Sequence, residues 1–279
     1  MSEKIRVYVA TPTTGTIIDS QVAVLREIEE TYRDQIELVY PVSCIRRVFH
    51  DFARNMMVQD FLAGDCDILW FLDSDITPPK YVLDLITIHG DKWKLAGATY
   101  PVFMVPPGGD IMEVVYTAYK VNPVTGNMGV CGVPKSGTDF LDGLATGCLF
   151  IRREVLEKME APHFEFKYKE HNREIYEGED LGFCRKVSAM GYKFFVDFSL
   201  FCKHQKSVDL HDVNNYAIQY SNRNVRYYDQ QIQNTVSRAV QAAYTQGYNA
   251  RKVEEASKPQ LIVPSSSSLA KFSGKAPRR

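Results

Sequence analysis

Hydrophobic positions along the chain change their spacing several times, and each change marks an element. Ile5 to Ala10 alternates Ile, Val and Val with Arg and Tyr, then runs into Thr11-Pro12-Thr13-Thr14-Gly15, which predicts a strand followed by a loop. Asp19 or Ser20 then caps a helix to about Thr31, with Val22, Leu25, Ile28 and Glu29 on its half-buried face. Ile36 to Val42 reads as a second strand. Residues 45 to 62 return to helical spacing, with apolar side chains at 45, 48, 49, 52, 56 and 61 and Arg46, Arg47, His50 and Arg54 between them. Ile68 to Leu72 is apolar throughout, as a strand buried on both faces must be. Strand, helix, strand, helix, strand is the pattern of a parallel, doubly wound sheet.

Further on, residues 80 to 89 read as a helix and 94 to 100 as a strand. The Gly- and Pro-rich stretch 102 to 142, with one alternating run from Val114 to Val121, reads as a hairpin-like insert or lid over the site. Leu144 to Ile151 is another buried strand, with a helix from Arg152. Residues 160 to 178 show no period and read as a mobile loop. A helix follows Gly178-Glu179-Asp180, with Leu181, Cys184, Val187 and Met190 facing inward and Gly191 closing it; a last strand covers 193 to 201. The expected organisation is an α/β domain over 1–212, a helical arm over 213–255 and a disordered basic tail over 256–279. Apolar positions 213, 217, 220, 228, 232, 236, 239, 240 and 243 give the arm one stripe, which docks on the domain or on a second subunit, the latter making a homo-oligomer.

With 279 residues, 45% of them hydrophobic, the chain has enough apolar material for a full core. A formal net charge of -1 argues against a nucleic-acid or membrane footprint spread over the whole surface. No run has transmembrane length and the start has no signal-peptide pattern, so the expectation is a cytoplasmic protein with no membrane span. The six cysteines lack paired short spacing, which points to reduced, mostly buried thiols.

The chemistry concentrates where the all-apolar strand ends, at Asp73-Ser74-Asp75-Ile76-Thr77 before Pro78-Pro79. In open α/β sheets ligands bind at the carboxyl ends of strands. Two carboxylates two residues apart suit a hard divalent cation carrying phosphates. An Asp-rich turn with a helix cap at Asp75 or Thr77 is the plain alternative.

In order and spacing, four pieces resemble the family-2-like nucleotide-sugar glycosyltransferases of the GT-A fold, including small soluble forms from bacteria and bacteriophages. They are the first-strand loop at Thr11-Pro12-Thr13, Ala53-Arg54-Asn55, the Asp-x-Asp at 73 to 75, and the paired segments 145 to 154 and 177 to 192. The resemblance covers about residues 5 to 204. It implies a GT-A-like, doubly wound, mostly parallel α/β sheet with a C-terminal helical extension, and an inverting, metal-dependent transfer of a sugar from a nucleotide-sugar donor. Asp73, with Ser74, Thr11, Pro12 and Arg54, would bind the donor nucleotide. Asp75 and His204 would ligate Mn2+ or Mg2+, the imidazole favouring manganese. Thr146, Gly147 and Glu179 would meet donor sugar or acceptor, and Asp180 would be the catalytic base. The second strand lacks the acidic residue by which many relatives read uracil. The acceptor stays open among a glycan, a protein, a small molecule and a modified nucleic-acid base.

Two rivals remain. Asp73 to Thr77 also fits the Asp-x-Asp-x-Thr signature of haloacid-dehalogenase-like phosphatases, with Asp73 as nucleophile, although two strands precede it here. The other rival is a non-catalytic sugar-binding or structural module.

Overall fold

The computed structural model describes residues 3–13, 16–41, 49–104, 113–132, 136–168 and 175–206, and positions 230, 233, 234, 237, 238 and 241. The chain divides into two compact units, 1–212 and 213–279. The first unit opens with β1 (Ile5–Ala10), α1 (Asp19–Tyr32), β2 (Ile36–Val39), α2 (His50–Ala63) and β3 (Ile68–Leu72). After them come β4 (Ile76–Thr77), the short α3 (Asp84–Thr87) and β5 (Leu95–Gly97). The next stretch forms β6 (Pro101–Met104), β7 (Glu113–Tyr116), β8 (Ala118–Val121), β9 (Met128–Val130), β10 (Thr138–Leu141) and β11 (Gly143–Leu144). It is followed by β12 (Cys148–Arg152), α4 (Arg153–Lys158), β13 (Lys167–Tyr168), β14 (Ile175–Glu177), α5 (Glu179–Ala189), β15 (Phe194–Asp197) and β16 (Lys203–His204).

Seven strands make the main sheet in the order β10-β15-β5-β12-β3-β1-β2. β1, β2 and β3 run parallel, as do β5 and β15; β12 runs against both its neighbours and β10 against β15. Five strands therefore point one way and two the other, the mixed, mostly parallel α/β sheet that the sequence pattern implies. β3 sits between β1 and β12, and all five of its side chains are buried. Ile68, Trp70 and Leu72 join Ile28 and Tyr32 of α1 on one face, while Leu69 and Phe71 join Met57 and Phe61 of α2 and Phe183 of α5 on the other. Trp70 stacks on its neighbour Phe150 across the sheet at 4.9 Å. With helices on both faces, β3 has no wet side, and its carboxyl end is the first place where the chain can turn polar.

Several expected faces are rotated. On α1, Gln21 rather than Val22 points inward; Gln21 is fully buried and Val22 is exposed. On α2, the apolar positions Phe49, Phe52 and Met56 face solvent, while Ala53, Arg54, Met57, Val58 and Phe61 are inside. The cause is Arg54, whose ionic partners lie within the protein and fix the helix's roll. On α5, Phe183 is buried and stacks on Phe164 at 4.5 Å, whereas Leu181 and Met190 are only half-buried. The alternating run 114 to 121 is two strands, β7 and β8, in different sheets, divided at the buried Thr117. Within the expected insert, β10 belongs to the main sheet, and the rest forms the hairpin β6/β7 and the sheet β11-β8-β9. The helix expected over 80 to 89 shortens to α3.

The stretch expected to be mobile, 160 to 178, is pinned in its first part. Asn55 on α2 donates to the Phe164 carbonyl, and its side-chain oxygen accepts from the His163 and Phe164 amides. In the second unit, Gln230, Gln233, Asn234, Ser237, Arg238 and Gln241 are helical and exposed, a polar stripe at steps of three and four. The apolar stripe of the arm, the tail 256–279 and the segment 42–48 lie outside the described residues. Among the described residues no helix is long and apolar enough to cross a membrane.

The roll of α5 has a measurable consequence. Phe183→Ala is expected to lower unfolding free energy in urea by about 3–5 kcal/mol, and Leu181→Ala by less than half of that. Equal losses would show that the helix does not seat on Phe183.

Candidate active site

Arg54 is 4% exposed and lies with its guanidinium carbon 5.3 Å from the centre of the Phe71 ring. Its Nη2 donates to both Asp73 oxygens, at 3.1 and 3.3 Å, and its Nε to Glu179 Oε1 at 3.4 Å. Burial works against the guanidinium's charge, but the Asp73 and Glu179 carboxylates outweigh it and raise its pKa. One side chain on α2 thus ties the end of β3 to the first residue of α5. Glu179, expected at the sugar, has its Oε1 on Arg54.

The Asp-x-Asp turn is held from α1 as well. Gln21 Nε2 donates to the carbonyls of Asp73 and Ile76, both at 2.8 Å, and the Ile18 amide donates to the Ser74 carbonyl at 3.2 Å. Thr11 and Pro12 lie half-buried at the end of β1, in the loop that leads to Ile18. Sequence reading missed Gln21, although its step of seven to Ile28 marks it as inward-facing.

β16 pairs with β4 so that His204 stands opposite Ile76, next to Asp75. His204 Nδ1 lies 2.8 Å from the Pro101 carbonyl oxygen, and Nε2 lies 3.3 Å from Asp75 Oδ2. A carbonyl only accepts, so Nδ1 carries a proton; Nε2 donates to the carboxylate when the ring is doubly protonated, and in the neutral ring it turns a lone pair toward it. Two acceptors converge there, which is the donor set a divalent cation takes, with the outer N–H held by a backbone carbonyl. Lys206 Nζ also reaches Asp75 Oδ2. Burial alone would raise the Asp75 carboxyl, yet the hydrogen bonds from His204 and Lys206 bring it down to about 2. Among the described residues no group of three or more His, Cys, Asp or Glu gathers for a metal, so phosphate oxygens would have to complete the shell.

Asp180 stands in the first turn of α5, where its Oδ1 accepts from the Leu181 amide at 2.8 Å. Burial first, and Glu179 beside it second, push its pKa up. Thr146 is buried. Gly147 is required by packing: a Cβ there would lie 2.6 Å from Tyr100 Oη. The Gly147 amide donates to that Oη at 3.2 Å, and the Gly147 carbonyl accepts from the Asp73 amide at 3.0 Å. The Tyr100 ring also stands edge-on to His204 at 5.2 Å, so this tyrosine links the two halves of the site. Its place at the end of a strand was the signal for it; the plain apolar look of 94 to 100 hid it.

No family model matches the chain, and no curated protein matches it. Among solved structures, A197 from STIV is 18% identical with a TM-score of 0.45, the match covering 72% of this chain and 86% of that one. GalNAc-T7 with UDP, GalNAc and Mn2+ is 12% identical with a TM-score of 0.43, covering 73% and 43%. S. aureus TarS 1-349 in complex with UDP-GlcNAc is 14% identical with a TM-score of 0.38, covering 74% and 60%. The chain therefore spans less than two thirds of the last two, which are GT-A glycosyltransferases.

Two measurements probe the electrostatics. Arg54→Met is expected to cost about 3–5 kcal/mol in urea unfolding by leaving Asp73 and Glu179 uncompensated, with much of the loss regained in Arg54→Met/Glu179→Gln. No rescue would mean that the pair does not share the guanidinium. Because its folded pKa is raised, Asp180 adds stability at low pH that disappears as pH rises through that pKa. Asp180→Asn should therefore melt above the parent at pH 7, by a margin that shrinks as pH falls through the ordinary carboxylate range. A lower melting temperature at pH 7 would contradict that environment.

Proposed function

We propose that the protein is a metal-dependent glycosyltransferase that moves a sugar from a nucleotide-sugar donor to an acceptor hydroxyl with inversion. The observation that carries this reading is His204 Nε2 facing Asp75 Oδ2 at the end of β3, with Nδ1 held by the Pro101 carbonyl. Asp75 and His204 would hold Mn2+ or Mg2+; when bound, the metal would neutralise the diphosphate as it leaves. Asp73, oriented by Arg54, faces the nucleotide together with Ser74, Thr11 and Pro12. Arg54 is buried, with Nη2 on Asp73 and Nε on Glu179, and acts by positioning Asp73.

Asp180 takes the acceptor proton as the acceptor oxygen bonds to the anomeric carbon and the bond from that carbon to the phosphate oxygen breaks. Nucleoside diphosphate leaves on the opposite face. A carboxylate whose pKa is raised by burial is a stronger base than a free one, which suits this step. The phosphatase alternative needs Asp73 free to attack phosphorus, but both its oxygens lie on Arg54 Nη2.

The test is nucleoside diphosphate release from a nucleotide-sugar panel beside a generic phosphomonoester. Asp180→Asn should lower transfer by about 10² to 10⁴ fold while donor binding holds. Asp75→Ala should abolish manganese-dependent thermal stabilisation by a nucleoside diphosphate, and His204→Ala should weaken it. Phosphomonoester turnover that depends on Asp73, with no release from any nucleotide sugar, would replace this reading with the phosphatase.

A further inference from the structure

A cleft of about 620 Å³ opens beside the first turn of α5, between β6/β7 and β8/β9. That is within the range of small-molecule sites, roughly 300–1,000 Å³. Its walls include Val114, Val115, Tyr116, Met128, Val130 and Leu181, and Glu113 is the one formally charged residue among the described lining. Val114 and Val130 are 49% and 38% exposed, so apolar surface stands open to solvent here.

The walls of the cleft connect to the proposed reacting groups at two places. Leu181 directly follows Asp180. Tyr119, another wall residue, is buried, and burial followed by the charge of Asp180 pushes its phenol up. On the opposite side, β6 begins at Pro101, whose carbonyl holds His204 Nδ1, and the Thr117 amide between β7 and β8 donates to the Tyr100 carbonyl at 3.1 Å. The strands that form the walls are thus anchored at the Asp75–His204 pair and reach the helix turn that carries Asp180.

We infer that this cleft is the acceptor subsite and that the acceptor is a small apolar alcohol or phenol. The inference rests on the transferase reading above. A glycan carries a hydroxyl on nearly every carbon, and each one desolvated without a partner is costly. Val, Met and Leu side chains supply no such partners, and Glu113, Tyr116 and Tyr119 are too few for a surface of hydroxyls while leaving a partner for a single one. They do fit an aromatic or aliphatic body whose single hydroxyl is presented to Asp180, and the unbranched Met128 adapts to its shape.

The experiment uses the full chain with 4-methylumbelliferone as phenol probe and maltotriose as glycan probe. Binding is followed by fluorescence and calorimetry, and nucleoside diphosphate release is measured with and without each probe. The parent should bind the phenol and release nucleoside diphosphate faster in its presence. Val114→Asp and Val130→Asp should weaken phenol binding tenfold or more at unchanged melting temperature. Val124→Asp, on an exposed turn outside the cleft, should not. Preference for maltotriose, or phenol binding indifferent to both aspartates, would overturn the inference. Acceptor-free release without phenol binding would sink the inference alone. Phenol binding in a protein that releases nothing from any donor would sink the transferase reading and the acceptor role with it.

Discussion

The site depends on one buried guanidinium shared by two carboxylates that lie far apart in the chain. Without Arg54, Asp73 and Glu179 would bring like charge together between the end of β3 and the start of α5 with no guanidinium to balance it. With it, the sheet edge and the helix start are held in one geometry. Buried pairs of this kind add little net stability over apolar packing, but breaking one is costly. Their effect is therefore to specify arrangement: α2 rolls so that Arg54 faces in, and Phe49 and Phe52 are left outside.

That roll explains why the sequence was legible in some places and misleading in others. The all-apolar β3 and the acids after it needed no tertiary knowledge, because five uniformly hydrophobic residues cannot form a half-wet strand. Periodicity on α2 pointed to the wrong face because the decisive residue there is charged, and hydrophobic spacing gives such a residue no inward weight. Gln21 on α1 was passed over for the same reason: its amide replaces an apolar contact with two hydrogen bonds to the turn at 73–76. The run 114–121 hid a sheet change, since alternation continues through Thr117 while the pairing partner switches from β6 to β11. Asp75 and His204 were singled out by motif order and lie 3.3 Å apart, yet the backbone carbonyl at Pro101 that holds the imidazole has no signature in sequence at all.

Tyr100 shows how a residue without reactive chemistry can organise reactive ones. Its hydroxyl fills the space that Gly147 leaves empty, and its ring edge rests on His204. The residue after it supplies the carbonyl that sets the tautomer. Strand β5 thereby passes the geometry of the main sheet to the hairpin β6/β7, and any movement of that hairpin acts on the imidazole.

The two aspartates of the turn differ in how exchangeable their partners are, and this difference matters for ligand binding. Asp73 is paired with Arg54, which is 4% exposed and is held in place by Glu179 as well. Asp75 is paired with Lys206, which is 56% exposed and sits on a long, solvated stem. A surface pair of that kind contributes about 0–1 kcal/mol, so it gives way to a stronger cation at little cost, whereas breaking the buried pair costs several times as much. The turn therefore offers one carboxylate as a fixed point for orientation and one as a replaceable ligand. The proposed transferase, which would admit and release a cation with each nucleotide, would draw on that asymmetry.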